Sequence, residues 1–334
     1  MKQKADKMKR LIAAALASLI TITALAATAC GGNKDEVTLA LDWFPNSNHA
    51  GIYEALKRGY FEAEGIKVKV YTPTDPATIL QTVGAGRDDF GISYQPDLLQ
   101  ARSEDVPVVS IAGIVQHPLN SIMALKSSGI ERPSQLRGKK IGYPGIASNK
   151  GMLETMLLED GLTLDGVELV DVGFDLVPVL LSGTVDAIVG GYWTHESILM
   201  ELQGQPVNIM RMEEWGVPDF YELLLVTNED TIARKKDMVR RFVKALSRGY
   251  EAAMQDPQGS VTTLLQANPE VVQEDLERKG VELLVPLWKD GTPVFGWQDP
   301  ARWVAFSNWM KKRSLIKQGL IPAAAFTNEF MTAK

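Results

Sequence analysis

Strand and helix signals alternate in two separate blocks of this chain, and that alternation is the strongest constraint on its fold. Residues 37–41 read as a short apolar strand and 50–64 as a helix with Ile52, Tyr53, Leu56, Tyr60 and Phe61 on one stripe. An alternating strand at 66–71, a helix at 76–84 and a buried strand at 90–93 follow. The pattern restarts with strands at 139–142, 167–172 and 187–189 and helices at 148–160 and 178–181. A strand at 221–226 closes this block, after which 235–254, 261–266, 269–280 and 299–314 read as helices. Strands alternating with helices predict an α/β fold with mainly parallel sheets, and two such blocks predict two lobes.

An internal echo links the blocks. Gly86-Arg87-Asp88-Asp89 precedes Phe90-Gly91-Ile92-Ser93-Tyr94, and Gly183-Thr184-Val185-Asp186 precedes Ala187-Ile188-Val189-Gly190-Gly191-Tyr192. Each is a turn, a short buried strand and an aromatic residue where a helix begins. In open α/β sheets ligands bind outside the carboxyl ends of strands. Two lobes facing each other would therefore gather the residues at those ends. They are Asp42, Trp43, Asn46, Asn48 and His49 after the first strand, Tyr94 and Gln95 after the third, and Gln116 and His117 after a buried strand at 108–115. The second block contributes Tyr143, Tyr192, Trp193, His195 and Glu196.

This set is aromatic plus neutral or acidic hydrogen-bonding groups, without the basic or hydroxyl cluster that a phosphate, sulfate or nitrate site needs. Flat side chains stack on flat ligands, and a carboxylate such as Glu196 accepts hydrogen bonds from an amino-substituted heterocycle. Plainer readings stand beside these: Trp43 as a core anchor, Asp42 or Asn46 as a helix cap, His117 as a loop hydrogen-bonder. All three histidines fall in the set, spaced 68 and 78 residues apart, which is no local metal spacing. There is no Gly-rich phosphate loop, G-x-S-x-G elbow, HExxH or paired CxxC. No catalytic residue, metal or cofactor is expected.

The first residues indicate the compartment. Lys2, Lys4, Lys7, Lys9 and Arg10 form a basic segment, 11–25 is an uncharged, mostly apolar run too short to span a bilayer, and small residues lead to Cys30. That order predicts a signal peptide over 1–29. Cys30 is the only cysteine, so it makes no internal disulfide. After Ala27-Thr28-Ala29 it is similar to a bacterial lipobox, departing from it in carrying Ala27 where Leu is usual. Lipid attachment at Cys30, a tether over 30–35 and an extracytoplasmic chain anchored to the bacterial cell membrane are expected. Removing 1–29 takes five of 35 basic and one of 41 acidic residues, leaving a net charge near −10. Such acidity argues against nucleic acid as a partner.

The strings LALDWFPNSNHAGIYEALKRGYFEAEGI at 39–66, FGISYQPDLLQARSEDVPVVSIAGIVQH at 90–117, FGWQDPARW at 295–303 and FTNEF at 326–330 resemble the substrate-binding proteins for thiamine pyrimidine precursors. The first carries the family's D-W-x-P-N-T-N-H-x-G pattern with Ser47 in place of Thr. The resemblance implies a two-lobed periplasmic-binding-protein fold of type II that closes on formylaminopyrimidine or hydroxymethylpyrimidine for salvage. It also implies a monomer that delivers ligand to the permease and ATPase subunits of an ABC importer. By position it favours Trp43, Asn46, His49, Tyr94, Tyr192, Trp193 and Glu196 as ligand contacts; Gln95 and His117 join them from the strand-end reading. Residues 191–196 match only loosely, so riboflavin, sulfonate and nitrate ligands stay open. Fungal synthases of the thiamine pyrimidine share the fold and are enzymes, but they carry a cysteine-rich segment this chain lacks. The expected lobes are 36–124 with 225–334, and 125–224, with crossings near 123–127 and 224–228.

Overall fold

A computed structural model of the chain describes residues 34–331; the expected leader 1–29 and Cys30 lie outside the described residues. The strands are β1 (Asp35–Ala40), β2 (Ile66–Tyr71), β3 (Phe90–Ser93), β4 (Val108–Val115), β5 (Asn120–Leu125), β6 (Lys140–Tyr143), β7 (Glu168–Asp171), β8 (Ala187–Tyr192), β9 (Val207–Arg211) and β10 (Leu223–Asn228). They form two five-stranded sheets, ordered β2-β1-β3-β10-β4 and β7-β6-β8-β5-β9. Read element for element, the two orders are one plan used twice. The echoed segments are equivalent strands in it, β3 and β8.

In each sheet the fourth strand runs against its neighbours. β10 is antiparallel to β3 and β4, and β5 to β8 and β9. β1 with β3, and β6 with β7 and β8, are parallel. The sheets are therefore mixed rather than mainly parallel, and the reversed strand is the one entered directly after the chain crosses over. The chain leaves the first sheet after Val115 and enters the second at Asn120, then returns between Arg211 and Leu223. The expected crossing at 123–127 overlaps the end of β5 and that at 224–228 falls inside β10, which moves the passages to 116–119 and 212–222. Asn120 and Ser121 at the head of β5 interrupt its apolar pattern and concealed the strand, although both are buried.

Helices cover both faces of the sheets, which is why several strands read as unbroken apolar runs. Along β10, Leu223 and Leu225 pack on one face with Ile52, Phe242 and Leu246, while Leu224 and Val226 pack on the other with Leu80, Leu98 and Trp303. In the second sheet Ile141, Ala187 and Val189 share a core with Met152 and Met156, and Met123 and Ile188 meet Leu176, Leu180 and Met200 on the opposite face. The helix expected over 50–64 is split into α1 (Ala50–Lys57) and α2 (Tyr60–Ala63) by Gly59, which takes φ 66°. The helix expected at 269–280 lies at Glu274–Leu284. The segments around 295–303 and 326–330 bridge to Gly113 and Ser110, closing the open edge at β4. No described helix is long and apolar enough to cross a membrane.

The helix Lys236–Gln255 crosses α1 with backbones almost in contact. A Cβ on Gly249 would stand 2.1 Å from the Gly51 carbonyl oxygen, and one on Gly51 would stand 2.3 Å from the Tyr250 ring. Gly249→Ala should therefore destabilise the fold by about 1–3 kcal/mol or more, the usual cost of overpacking. Urea unfolding of parent and variant measures it; equal midpoints would mean that this crossing is looser than described.

Candidate functional site

The carboxyl ends of β1, β3, β6 and β8 converge on one pocket between the two sheets. It encloses about 500 Å³ of space, its open mouth included. Asp42, Trp43 and Asn46 reach it from the loop after β1, Tyr94 and Pro96 from the end of β3, and Tyr192, His195 and Glu196 from the end of β8. Pro144, Ile146, Ser148, Asn149 and Met152 supply another wall, Gly190 lies beside them, and Asn120 and Glu222 complete the lining.

The first loop is fixed by hydrogen bonds that run back from the pocket. Asn46, not Asp42, is the cap: its Oδ1 accepts the Asn48 N–H at 2.9 Å and its Nδ2 donates to the Phe44 carbonyl at 3.0 Å. His49 is buried behind it, its Nδ1 accepting the Asn46 N–H at 3.3 Å. That bond leaves the ring proton on Nε2, which faces Asp42 Oδ1 at 2.9 Å. Asp42 Oδ2 accepts the Tyr94 hydroxyl at 3.0 Å. Burial, reinforced by Asp42, pushes the Tyr94 phenol well above its ordinary value, so it remains a donor. His49 thus does not line the pocket; it holds Asp42, which does.

Glu222 is the group that the sequence reading missed. It is buried at the head of β10, and its Oε2 accepts the Leu119 and Asn120 N–H groups at 2.7 and 3.0 Å. One carboxylate therefore ties the two crossing segments together and also lines the pocket. Burial raises its pKa to about 7 against those two backbone donors and the Tyr192 hydroxyl, with Asp42 adding repulsion. The signal was present: a lone carboxylate inside the otherwise apolar run 220–226.

A second charged cluster spans the lobes. His195 Nδ1 lies 2.9 Å from Glu196 Oε1, and His195 Nε2 lies 3.3 Å from Glu277 Oε1 on the helix Glu274–Leu284. Glu277 Oε2 accepts the Ser47 N–H at 2.6 Å, and Glu196 Oε2 accepts the Tyr192 N–H at 2.8 Å. Burial opposes charge on His195, but Glu196 and Glu277 outweigh it and push its pKa up to about 10. Burial likewise works against ionised Glu196, and the His195 charge with its hydrogen bonds holds the carboxyl below its ordinary value. Elsewhere across the cleft, Ser148 Oγ donates to Asp97 Oδ2 at 2.6 Å and the Trp43 and Phe174 rings meet edge-on at 4.5 Å.

Besides His49, three more expected contacts lie off the pocket. Gln95 is fully buried, its Oε1 accepting the Tyr221 N–H at 2.9 Å. His117 sits on the outer side of the first crossing between Asp219 and Asp290, at 2.8 and 3.2 Å. Trp193 donates from Nε1 to the Pro118 carbonyl at 3.1 Å and carries the Arg211 guanidinium over its ring at 4.0 Å. Residue type and strand-end position alone did not separate these from the lining, because the crossing segments bring polar groups to the same sheet edge from behind.

No described lining residue is Lys or Arg. The cation that does line the pocket, His195, already has both ring nitrogens facing carboxylates. With Trp43, Tyr94 and Tyr192 around Asp42, Glu196 and Glu222, the site favours a flat ligand that donates hydrogen bonds. The sequence pattern described as NMT1/THI5 like matches residues 46–260. The chain belongs to the NMT1/THI5-like family. It is 34% identical over 298 residues to the formylaminopyrimidine-binding protein of Halalkalibacterium halodurans, covering 88% of this chain and 90% of that one. It is 28% identical over 247 residues to the 4-amino-5-hydroxymethyl-2-methylpyrimidine phosphate synthase of Aspergillus parasiticus, covering 71% and 72%. The fold is shared with the alkanesulfonate-binding protein SsuA of Xanthomonas axonopodis pv. citri, solved with MOPS, at TM-score 0.68 and 15% identity over 89% and 99% of the chains. Within this family the two-lobed periplasmic-binding-protein fold is the scaffold, and the lining sets the chemistry.

The His195 cluster has a defined pH window. Because its folded-state value of about 10 exceeds the ordinary 6.5, its stabilisation is complete below about pH 6.5 on the histidine side and disappears as pH rises toward 10. Glu196, held below 4.5, sets the acid limit, since its contribution is lost as pH falls past its folded value. Histidine NMR should show the imidazolium persisting to about pH 10 in the parent and titrating lower in Glu277→Gln. An unshifted titration in the variant would mean that Glu277 does not share the charge.

Proposed function

We propose that this chain is the extracytoplasmic substrate-binding component of an ABC importer and that it captures a thiamine pyrimidine precursor, formylaminopyrimidine or hydroxymethylpyrimidine. The observation that carries this reading is the pocket: aromatic walls around carboxylates, with no lining Lys or Arg, in a chain 34% identical to a formylaminopyrimidine-binding protein. An aminopyrimidine presents amino hydrogens that suit a carboxylate. Glu196 has its two oxygens held by His195 and the Tyr192 N–H, whereas Glu222 takes two backbone N–H groups on Oε2 and the Tyr192 hydroxyl, a side-chain donor that a ligand amino group can replace. Glu222 is therefore assigned the ligand's amino group, and Trp43, Tyr94 and Tyr192 its ring faces. The role is binding without turnover, in a monomer that hands its ligand to a permease and its ATPase. Lipid attachment at Cys30 keeps it at the membrane surface; the basic segment, apolar run and small residues before Cys30 support that part of the reading.

Calorimetric titration of the mature chain with formylaminopyrimidine, hydroxymethylpyrimidine, riboflavin and taurine tests the proposal. Either pyrimidine should bind and taurine should not; tight taurine binding with no response to an aromatic heterocycle would overturn it. Glu222→Gln should weaken the pyrimidine by roughly tenfold or more, the cost of losing a charge-assisted hydrogen bond. Because the Glu222 carboxyl titrates near 7, donation to its ionised form should release protons near neutral pH. Binding enthalpies in buffers of different ionisation heat read that release, which should vanish in Glu222→Gln.

A further inference from the structure

Two asparagines in the pocket carry hydrogen-bonding capacity that the protein itself leaves unused. Asn120, at the head of β5, and Asn149, in the helix Ala147–Glu159, are 7% and 1% exposed and both line the pocket. Asn120 Nδ2 donates to Asn149 Oδ1 at 2.9 Å. Asn120 Oδ1 and Asn149 Nδ2 are buried with no partner. Exchanging oxygen and nitrogen in both amides reverses the bond but still leaves one free acceptor and one free donor. A buried amide atom without a partner is costly, and such atoms concentrate where a ligand or an ordered water completes them.

The surroundings keep this pair in place. Asn120 N–H is held by Glu222 at 3.0 Å, which fixes the head of β5. On the other side Gly190 takes φ 104°, and a Cβ there would stand 2.9 Å from Asn149 Nδ2 and 2.8 Å from Pro144 Cδ. Glycine at 190 thus leaves the space that the Asn149 amide occupies.

We propose that Asn120 and Asn149 together form the specificity element for a secondary amide on the ligand, Asn120 accepting its N–H and Asn149 donating to its C=O. This rests on the pyrimidine reading of the same pocket and adds which substituent is read and by what. A formylamino group offers one donor and one acceptor held in a plane. The free amine formed when the formyl group is removed is an ammonium at neutral pH and offers donors only, which would leave Asn149 Nδ2 unpaired. A hydroxymethyl group brings donor and acceptor on a single atom and cannot span both asparagines as a planar amide does. The selected ligand class is therefore N-acylaminomethyl pyrimidines over their deacylated amines.

The test compares formylaminopyrimidine with the corresponding aminomethyl pyrimidine on the mature chain by calorimetry. The parent should prefer the formyl compound by roughly tenfold or more, the scale of one buried polar atom left unpaired. Asn149→Ala and Asn120→Ala, first confirmed as folded by circular dichroism, should cut that preference to within about threefold, chiefly by weakening the formyl compound. Gly190→Ala, which displaces the Asn149 amide without removing it, should do the same. Equal binding of both pyrimidines by the parent would overturn the amide assignment and leave the pyrimidine reading standing. Failure to bind any pyrimidine would overturn that reading and this inference with it. Variants that keep the full preference would show that other groups read the amide.

Discussion

One buried carboxylate, Glu222, ties together the two passages of the chain at the pocket. The chain passes between its two sheets twice, at 116–119 and 212–222, and Glu222 at the end of the second passage accepts two backbone N–H groups from the end of the first. Those donors open β5, the reversed strand of the second sheet, just as Glu222 opens β10, the reversed strand of the first. The two passages therefore form one hydrogen-bonded unit at the floor of the pocket. Ionising this carboxyl away from water is unfavourable, which is why its pKa is raised. A raised carboxyl favours the fold while protonated, below about pH 4.5, and that advantage is lost as pH rises through about 7. Above that range a hydrogen-bond donor brought to Glu222 would offset the penalty.

Closure places a second set of charges on the opposite rim. Glu277 belongs to a helix packed with the first lobe, where it accepts the Ser47 N–H, and His195 and Glu196 stand at the end of β8 in the second. The helix is close to both sides: a Cβ on Gly280 would stand 2.7 Å from Ser47 Oγ and 3.0 Å from the Thr194 carbonyl oxygen. A buried cation between two carboxylates is favourable only when both partners are present, since removing one leaves an uncompensated charge. The cluster consequently depends on the lobes being together, and opening the cleft would separate Glu277 from the imidazolium. Hinge closure of this kind changes few contacts within each lobe. The contacts that bridge the cleft in this structure are Glu277–His195, Asp97–Ser148 and Trp43–Phe174.

The repeated plan was legible in the sequence because its signals are local. Gly86 and Gly183, with the short apolar strands after them, mark β3 and β8, and the aromatic residues closing those strands, Tyr94 and Tyr192, both reach the pocket. What depended on pairing between distant segments was not legible. β5 opens with polar Asn120 and Ser121, whose burial is set by β8 and β9 from up to 90 residues away, so the crossing was placed too late. Asn149 carries no local motif and Glu222 only that of a carboxylate in an apolar run, and their partners lie 29 and 103 residues distant. The histidines show the limit from the other side. Each falls at a strand end, yet His49 supports Asp42 from behind, His117 faces aspartates outside the cleft, and His195 alone lines the pocket.

The scaffold shared with the alkanesulfonate-binding protein leaves the chemistry of the cleft to the residues that line it. At 15% identity and TM-score 0.68 the scaffold is common property, and it dictates only that strand ends and crossing segments meet at a cleft. The sign of the charge at those ends is a free choice of sequence. In this chain Asp42, Glu196 and Glu222 line the cleft without Lys or Arg, and the one lining cation is already neutralised by carboxylates. An anion entering would lose its hydration and meet like charge, a penalty on two counts that no stacking on Trp43 or Tyr192 could offset. A neutral ring bearing amino hydrogens meets the reverse situation. Its donors find acceptors whose own burial is otherwise unfavourable, so the same carboxylates that exclude the anion are the ones the heterocycle relieves.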